Sequence, residues 1–266
     1  MKNKIRGEFI LKFLIVGDVC GRPGREAFRK YVPELKKEHN IDVVVVNGEN
    51  IAGGRGISRK TLDEIYRAGA DIVTSGNHIW DQKEIVSFID DEPFLIRPAN
   101  YPEGAPGKGY CIYPFKAKNI GVINVSGRTF MPPMDCPFQK VDEILKEIKN
   151  QCDIILVDIH AEATSEKIAM GFYLDGKVTC VVGTHTHVQT ADNLPKGTAY
   201  ISDLGMVGPY NSSLGINVNN AIDKFITCRP VRFEMAEGPN IFSAVVLELA
   251  EDNSVKSFER ILFNEE

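Results

Sequence analysis

The chain has 266 residues, of which 43% are hydrophobic and 25% charged, and its formal net charge at pH 7 is −5. This length and composition are typical of a globular protein that buries enough apolar surface to fold without disulfides or a structural metal. The negative charge argues against a generally basic surface for nucleic acid, although a phosphate ester or strand end needs only local positive charge.

The first predicted strand is Leu11–Gly17. The apolar stretch around it is interrupted by Lys12 and lacks a small-residue cleavage site, so we interpret it as a strand and not as a secretion signal. No stretch approaches the roughly 18 apolar residues of a membrane span, and we expect no membrane partner. No linker divides the sequence. Residues 11–266 are therefore interpreted as one domain, and residues 1–10 as an N-terminal extension or the start of the first strand.

Strand-like runs and helical patterns then alternate along the chain. Further strands are predicted at Val43–Val46, Asp71–Thr74, Gly109–Tyr113, Ile120–Val125, Ile154–Ile159 and Val178–Val182. Helices are expected where apolar residues recur with helical spacing, near residues 28–35, 62–66, 85–89, 141–148 and 166–174. Ser58 is a plausible N-cap for the second of these helices.

The last third of the chain has few helical signals. Its predicted strands are Thr198–Ser202, Val231–Met235, Ser243–Leu249 and Val255–Phe263. Continuous apolar strands early in the chain are typical of a parallel sheet covered on both faces, whereas later alternating strands indicate an antiparallel part. The sequence therefore predicts a mixed α/β sandwich.

Polar side chains directly follow five of the apolar strands. They are Asp18, Glu49, Asn50, Asn77, His78, His160, His185 and His187. Groups at the carboxyl ends of parallel strands converge on one crevice, so these side chains could face one point. Each residue alone has an ordinary explanation as a turn residue or helix cap. The joint pattern is more informative, because only one of the five histidines, His39, lies outside these loops.

The number of candidate ligands indicates more than one metal ion. His185 and His187 are alternate residues, which project on the same side of an extended segment. Two carboxylates, two amides and three or four imidazoles exceed one tetrahedral site, and they suit two ions that share a bridging carboxylate. A mixed nitrogen and oxygen ligand set suits Fe, Mn, Co or Zn without choosing among them.

The order of these motifs resembles that of the calcineurin-like metallophosphoesterase superfamily. Its usual first motifs are Asp-x-His and Gly-Asp-x-x-Asp, but here Cys20 replaces the histidine and Glu49 replaces the bridging aspartate. These departures, within residues 17–25 and 47–54, resemble the bacterial YmdB-like branch. The resemblance extends from about Phe13 to the C terminus. It implies an α/β fold of the metallophosphoesterase type, a β-sandwich of mixed sheets flanked by helices in α/β/β/α layers.

The resemblance also implies an activity, that of a 2′,3′-cyclic-nucleotide phosphodiesterase with a regulatory role. Two metal ions would be bound, and we expect iron and/or manganese. The first ion would be held by Asp18, Glu49, Asn50 and His187, and the second by Glu49, Asn77, His160 and His185, with Glu49 bridging. His78 resembles the proton donor of the Gly-Asn-His motif. It would protonate the departing alkoxide after attack by a metal-bound hydroxide.

The sequence leaves the roles of the arginine pair, Phe130 and Asp81 open. Arg22 and Arg25 open the helix after the first strand and could hold a phosphate or belong to a solvated helix start. Phe130 could offer an aromatic face to a base. Asp81 could orient His78, although we favour its interpretation as a cap of the next helix.

The expected substrate is a small phosphodiester such as a cyclic nucleotide, and RNA ends are a second candidate partner. Because the six cysteines are scattered without a Cys-x-x-Cys pair, we expect a reducing, cytoplasmic environment. A homo-oligomer is also expected. Two alternatives stay open: a phosphomonoesterase or nuclease of the same superfamily, and a metal-stabilised regulatory or RNA-associated protein whose hydrolysis is incidental.

Overall fold

The computed structural model describes residues 10–265, which contain five α-helices and twelve strands. The elements are β1 (Leu11–Val16), β2 (Asp18–Val19), α1 (Gly21–Glu38), β3 (Val43–Asn47), α2 (Arg59–Arg67), β4 (Ile72–Thr74), β5 (Tyr110–Phe115), β6 (Lys118–Ser126), α3 (Pro137–Ile148), β7 (Ile154–His160), α4 (Thr164–Leu174), β8 (Cys180–Thr184), β9 (Ala199–Ile201), β10 (Met206–Pro209), α5 (Val218–Thr227), β11 (Asn240–Leu249) and β12 (Val255–Asn264). Within these residues, no helix combines the length and apolar character needed to cross a membrane. The interpretation of the extreme N terminus falls on residues 1–9, outside the described residues, and the single domain over 11–266 stays a prediction.

The strands form two sheets. In the first, β1, β3 and β4 are parallel, and β11 pairs antiparallel with β1, β10 and β12. The short β2 extends this sheet beyond β10. In the second, β6, β7, β8 and β9 are parallel neighbours and β5 is antiparallel to β6. Both sheets are therefore mixed, and β11 and β12 confirm the antiparallel pairing expected late in the chain.

Alternate residues of the central strands enter different cores, as the two-residue period of a strand requires. In β1, Leu14 and Val16 belong to the core beneath α1 and α2. Phe13 and Ile15 belong instead to the core between the two sheets. A third core joins the far face of the second sheet to α3 and α4. Three cores separate four layers, and the predicted α/β/β/α sandwich is confirmed.

The prediction of an α-helix near residues 85–89 is wrong. Two 3₁₀ turns, Lys83–Ser87 and Ile89–Asp91, occupy this segment. Glu92 is extended, with ψ of 91°, because it precedes Pro93, whose ring disfavours the helical conformation of the preceding residue. An α-helix could therefore not extend past Asp91, and two short 3₁₀ turns precede this point.

The region from residue 214 to residue 236 also differs from the prediction. No strand forms over Val231–Met235, where only an isolated bridge joins Met235 to Ile216. The helix α5 was not anticipated, although Asn217 caps it by accepting a hydrogen bond from the backbone of Asn219. Asparagine at that position is a recognisable start signal, and it could have identified the helix.

Candidate metal centre

The carboxyl ends of strands from both sheets meet at one edge of the sandwich. Glu49, after β3, places Oε2 3.1 Å from Nε2 of His160 at the end of β7. His185, after β8, places Nδ1 3.0 Å from the same nitrogen. Gly76 closes the other side, where a Cβ atom would lie only 2.2 Å from Glu49 Oε2. The site is therefore built across two sheets and depends on a glycine for its close packing.

The other predicted ligands surround this group. Asn77 Oδ1 lies 3.1 Å from His160 Nε2, and Asn50 Nδ2 lies 3.3 Å from His187 Nε2. Asp18 Oδ1 lies 3.8 Å from the same nitrogen of His187. The structure thus brings all seven predicted ligands into one neighbourhood. Their assignment as ligands stays a prediction.

Two observations fit a bound cation at this point. Asp18 is fully buried, and its Oδ1 has no hydrogen-bond partner. A buried carboxylate oxygen without a partner is costly, and a metal ion would compensate for it. In addition, the donor atoms of Glu49, His160 and His185 all lie within 4.8 Å of one another. Carboxylate and imidazole groups at this spacing are suitable ligands for a transition metal.

Burial and mutual charge set the protonation of the centre. Burial raises the pKa of Asp18 to about 6. Burial also opposes ionisation of Glu49, but the charge and hydrogen bond of His160 outweigh it and lower the pKa of Glu49 to about 2. Burial, followed by repulsion from His160, lowers the pKa of His185 to about 3. A neutral His185 beside an ionised Glu49 is the protonation state that a metal ion requires of its ligands. Against the effect of burial, Glu49 raises the pKa of His160 and Cys20 raises the pKa of His187, so these two histidines would release a proton when a metal binds.

The turn that carries His185 and His187 is not an extended segment. Strand β8 ends at Thr184, and φ is 94° at His185 and 62° at His187. The expectation that these histidines share one side of an extended segment is therefore wrong. Positive φ is uncommon outside glycine, and it persists only where surrounding contacts hold it.

A buried ion pair behind this turn was not anticipated from the sequence. Lys167, from α4, is fully buried, and its Nζ lies 2.7 Å from Asp203 Oδ2. Lys167 also donates to the Thr184 carbonyl and the Thr186 hydroxyl, at 3.0 and 2.8 Å. Asp203 accepts the backbone N–H of Thr186 at 3.0 Å. This pair holds the strained turn in place, and lysine is almost never fully buried unless it is paired in this way.

A second network orients the ring of His160. The Asp158 carboxylate accepts the Thr184 hydroxyl proton at 2.8 Å. A hydroxyl has one proton to donate, so Thr184 accepts from Nδ1–H of His160, 2.9 Å away. Without a metal ion, Nε2–H of His160 donates to Glu49 Oε2 at 3.1 Å. Because Nδ1 keeps its proton, a bound metal ion would displace the Nε2 proton and take up the Nε2 lone pair between Glu49 and Asn77.

We expect Thr184→Val to weaken metal binding by about 10- to 100-fold, because it removes the hydroxyl that fixes the His160 tautomer while keeping a similar shape. Calorimetric titration of metal-free protein with Mn²⁺ measures this change. Thr198→Val is a matched control, since Thr198 is also buried and hydrogen-bonded but lies at the opposite end of the second sheet. Equal affinities for the two variants would contradict the orienting role of Thr184.

His78 lies at the rim of the centre. Its backbone N–H donates to Glu49 Oε2 at 3.2 Å, and its Nδ1 lies 3.0 Å from Asp81 Oδ2. Gln82, not Asp81, occupies the cap position of the following 3₁₀ turn. The interpretation of Asp81 as a helix cap is therefore wrong. Asp81 binds one ring nitrogen of His78 and leaves Nε2 for a substrate.

A cavity of about 420 Å³ opens above these residues. It is lined by Cys20, Glu49, Asn50, Gly54, Arg55, His78, Glu162, His185, Thr186, His187, Leu214, Ile216, Phe233 and Met235. Polar groups lie on the side of the metal centre, and apolar side chains from residues 214–235 complete the wall. This composition suits a ligand with a charged end and an apolar or aromatic part.

Two features singled out from the sequence lie outside this cavity. Arg22 pairs with Glu26 at 2.8 Å, and Arg25 pairs with Glu64 at 2.6 Å. Phe130 is 90% exposed. None of these residues lines the space above the metal centre, so no direct contact with the reacting phosphate is assigned to them.

Comparison with known proteins gives one family match and closely similar relatives. The family model described as YmdB-like protein matches residues 14–261. The chain is 50% identical, over 260 residues, to a protein of Bacillus subtilis (strain 168) named 2′,3′-cyclic-nucleotide 2′-phosphodiesterase. That similarity covers 96% of this chain and 98% of the relative.

Two crystal structures share the fold along nearly the whole chain. A hypothetical protein from Thermus thermophilus has a TM-score of 0.91 and 40% identity, and the match covers 96% of this chain and 100% of that one. A structure described as a novel phosphatase from Mycoplasma pneumoniae has a TM-score of 0.92 and 34% identity, with coverage of 97% and 95%. The sandwich described above is therefore also found in experimentally determined relatives.

Proposed function

Because the chain belongs to the YmdB-like family, we propose that it hydrolyses 2′,3′-cyclic nucleotides at the metal centre described above. The family resemblance read from the sequence motifs is confirmed. The observation that carries the proposal is the donor group of Glu49, His160 and His185 beside an unpartnered Asp18 oxygen, beneath an open cavity. The same chain is 50% identical to a named 2′,3′-cyclic-nucleotide phosphodiesterase.

We propose that the centre binds two metal ions, iron and/or manganese. The proposed ligands are Asp18, Glu49, Asn50 and His187 for the first ion, and Glu49, Asn77, His160 and His185 for the second. When bound, such ions activate water and neutralise charge on the phosphate oxygens. The chain itself contributes a buried, hydrogen-bonded frame that keeps these donors in place.

His78 is proposed as the group that protonates the leaving oxygen. Hydrolysis joins a water oxygen to phosphorus and breaks the bond from phosphorus to one ribose oxygen, which takes the proton from His78. The product is a nucleoside monophosphate with a free ribose hydroxyl. Asp81 and the backbone contact to Glu49 hold His78 beside the cavity, so the donor is positioned before the substrate enters.

We expect the enzyme to hydrolyse bis-p-nitrophenyl phosphate faster than p-nitrophenyl phosphate, and 2′,3′-cAMP faster than 3′,5′-cAMP. The apolar wall of Leu214, Ile216, Phe233 and Met235 can hold the second organic group of a diester, which a monoester lacks. Comparison of kcat/KM over this panel, with Mn²⁺ present, is the test. A preference for the monoester would favour the phosphomonoesterase alternative.

The cellular setting is also a proposal. A cytoplasmic location is supported by the six cysteines, all of which are free. A homo-oligomer is supported by the exposed apolar face of α5, where Ile222, Phe225 and Ile226 are 48%, 81% and 77% exposed. One catalytic domain over residues 11–266 and RNA ends as partners complete the proposal.

A further inference from the structure

A basic groove of about 650 Å³ lies between α1 and α2. Its charged lining residues are Arg22, Arg25, Glu26, Arg29, Lys60, Glu64 and Arg67. The three arginines of α1 lie three and four residues apart, and the charged residues of α2 lie four and three residues apart. Residues at these spacings share one face of a helix, so each helix presents one charged face to the groove.

The groove holds an excess of positive charge. Glu26 and Glu64 each pair with one arginine. Arg29, Lys60 and Arg67 are exposed and form no ion pair with any residue between 10 and 265. Lys60 and Arg67 act on the Glu64 carboxylate only at longer range. The groove therefore holds five cations against two carboxylates, and in a protein with net charge −5 this excess forms a local site for a polyanion.

This basic groove lies on the same side of the protein as the cavity above the metal centre, with a third cavity between them. Arg22 and Glu26 also line an adjoining cavity of about 400 Å³, and Met235 is shared by that cavity and the one above the metal centre. Arg25 donates to the carbonyl of Ile51, in the loop that follows β3 and carries predicted ligands. The three cavities therefore follow one another along the surface. The Met235 side chain, packed against Gly21 and Gly54, lies between the first two, and the carboxylates of Glu26 and Glu237 line the middle one.

We propose that the basic groove binds upstream phosphates of a single-stranded oligoribonucleotide whose 3′ end carries the 2′,3′-cyclic phosphate. This inference rests on the proposed function, since the cyclic phosphate at the metal centre sets the position of the strand. A free cyclic nucleotide has one phosphate and cannot occupy both places. Each upstream nucleotide adds one negative phosphodiester, which the unpaired cations would neutralise. A duplex end would have to unpair before its terminal ribose could enter a cavity of about 420 Å³.

The first measurement compares 2′,3′-cUMP with a short oligouridylate that ends in the same cyclic phosphate. We expect a higher kcat/KM for the oligonucleotide at low salt. Neutralisation of three phosphates gives log(kcat/KM) a slope of about −2 against log salt, whereas the mononucleotide depends weakly on salt. Equal kcat/KM values for the two substrates, or better binding of duplex than of single strand, would overturn the proposal.

The second measurement uses a triple variant, Arg29→Gln/Lys60→Gln/Arg67→Gln. All three side chains are exposed, so the fold and the metal centre are left intact. We expect the oligonucleotide advantage and its salt dependence to disappear while hydrolysis of 2′,3′-cUMP is unchanged. Lys149→Gln/Lys177→Gln/Lys196→Gln removes the same charge from a cavity at the opposite end of the second sheet, and it should retain the advantage.

Binding of a labelled oligouridylate, followed by fluorescence anisotropy, separates this inference from the proposed function. If neither substrate is hydrolysed, the proposed function is wrong, but the groove is still tested by binding. Weaker binding by the groove variant than by the Lys149/Lys177/Lys196 variant is expected. Equal binding by the two variants would contradict the proposal that the basic groove binds the oligonucleotide, whatever the catalytic result.

Discussion

Glu49→Ala is expected to lose bound metal and hydrolysis together, with kcat/KM lower by about a thousandfold or more, because the ions supply several kcal/mol of charge stabilisation. Glu49 is 1% exposed and lies at the centre of the donor group. Its Oε2 lies 3.1 Å from His160 Nε2 and accepts the His78 backbone N–H at 3.2 Å. Removal of the carboxylate therefore takes away a proposed bridging ligand and a contact of the proposed proton donor. Elemental analysis and a bis-p-nitrophenyl phosphate assay measure the two losses.

A matched control exists in the same cavity. Glu162 also contacts a proposed ligand, with its Oε2 2.9 Å from His185 Nε2, but its side chain is 49% exposed and it is outside the proposed ligand set. Glu162→Ala should therefore keep its metal when Mn²⁺ is saturating, with at most the weaker affinity expected from loss of a group that orients a ligand. Treatment of the unaltered protein with a chelator should reproduce the Glu49→Ala defect, and Mn²⁺ should restore only the unaltered protein. A Glu49→Ala variant with its full metal content would show that Glu49 does not bridge the ions.

The fold was predictable where apolar residues recur with the regular spacing of a buried strand or helix. Strands β1, β3 and β7 were placed within one residue of their observed ends, because most of their residues are apolar and nearly all are buried. The predictions failed where the spacing of apolar residues does not by itself determine the secondary structure. In α5 the helical spacing is present, but the side chains are exposed. In Val231–Met235 the alternation is present, but no strand is available to pair with it.

The neighbourhood of the metal centre was predictable because its residues directly follow apolar strands. The conformation of those loops was not, because contacts between distant residues determine it. Lys167 and Asp203 are 36 residues apart in the chain, and their pairing is visible only in the structure. The same holds for the positive φ of His185, whose backbone N–H donates to Asp18, 167 residues away. Local sequence contains no signal for either contact.

His78→Ala should lower kcat by about 10²- to 10⁴-fold, the usual contribution of a positioned proton donor. The metal content should be unchanged, because the His78 side chain pairs with Asp81 at the rim and lies outside the proposed ligand set. Only the backbone N–H of His78 contacts Glu49, and alanine retains that group. Kinetics on 2′,3′-cAMP combined with elemental analysis measure both quantities. Loss of metal from this variant would place His78 among the ligands.

Asp81→Asn is the conservative companion to this variant, because the amide oxygen can still accept the His78 Nδ1–H while the charge is removed. We expect a smaller fall in kcat than for His78→Ala, since orientation is kept. If His78 only packs at the rim, neither variant should change kcat. The inactive, metal-replete His78→Ala protein also separates the regulatory alternative from the enzymatic one. If the cellular role requires hydrolysis, cells that carry only the His78→Ala protein should lose that role. If the folded, metal-bound protein is sufficient, these cells should retain it.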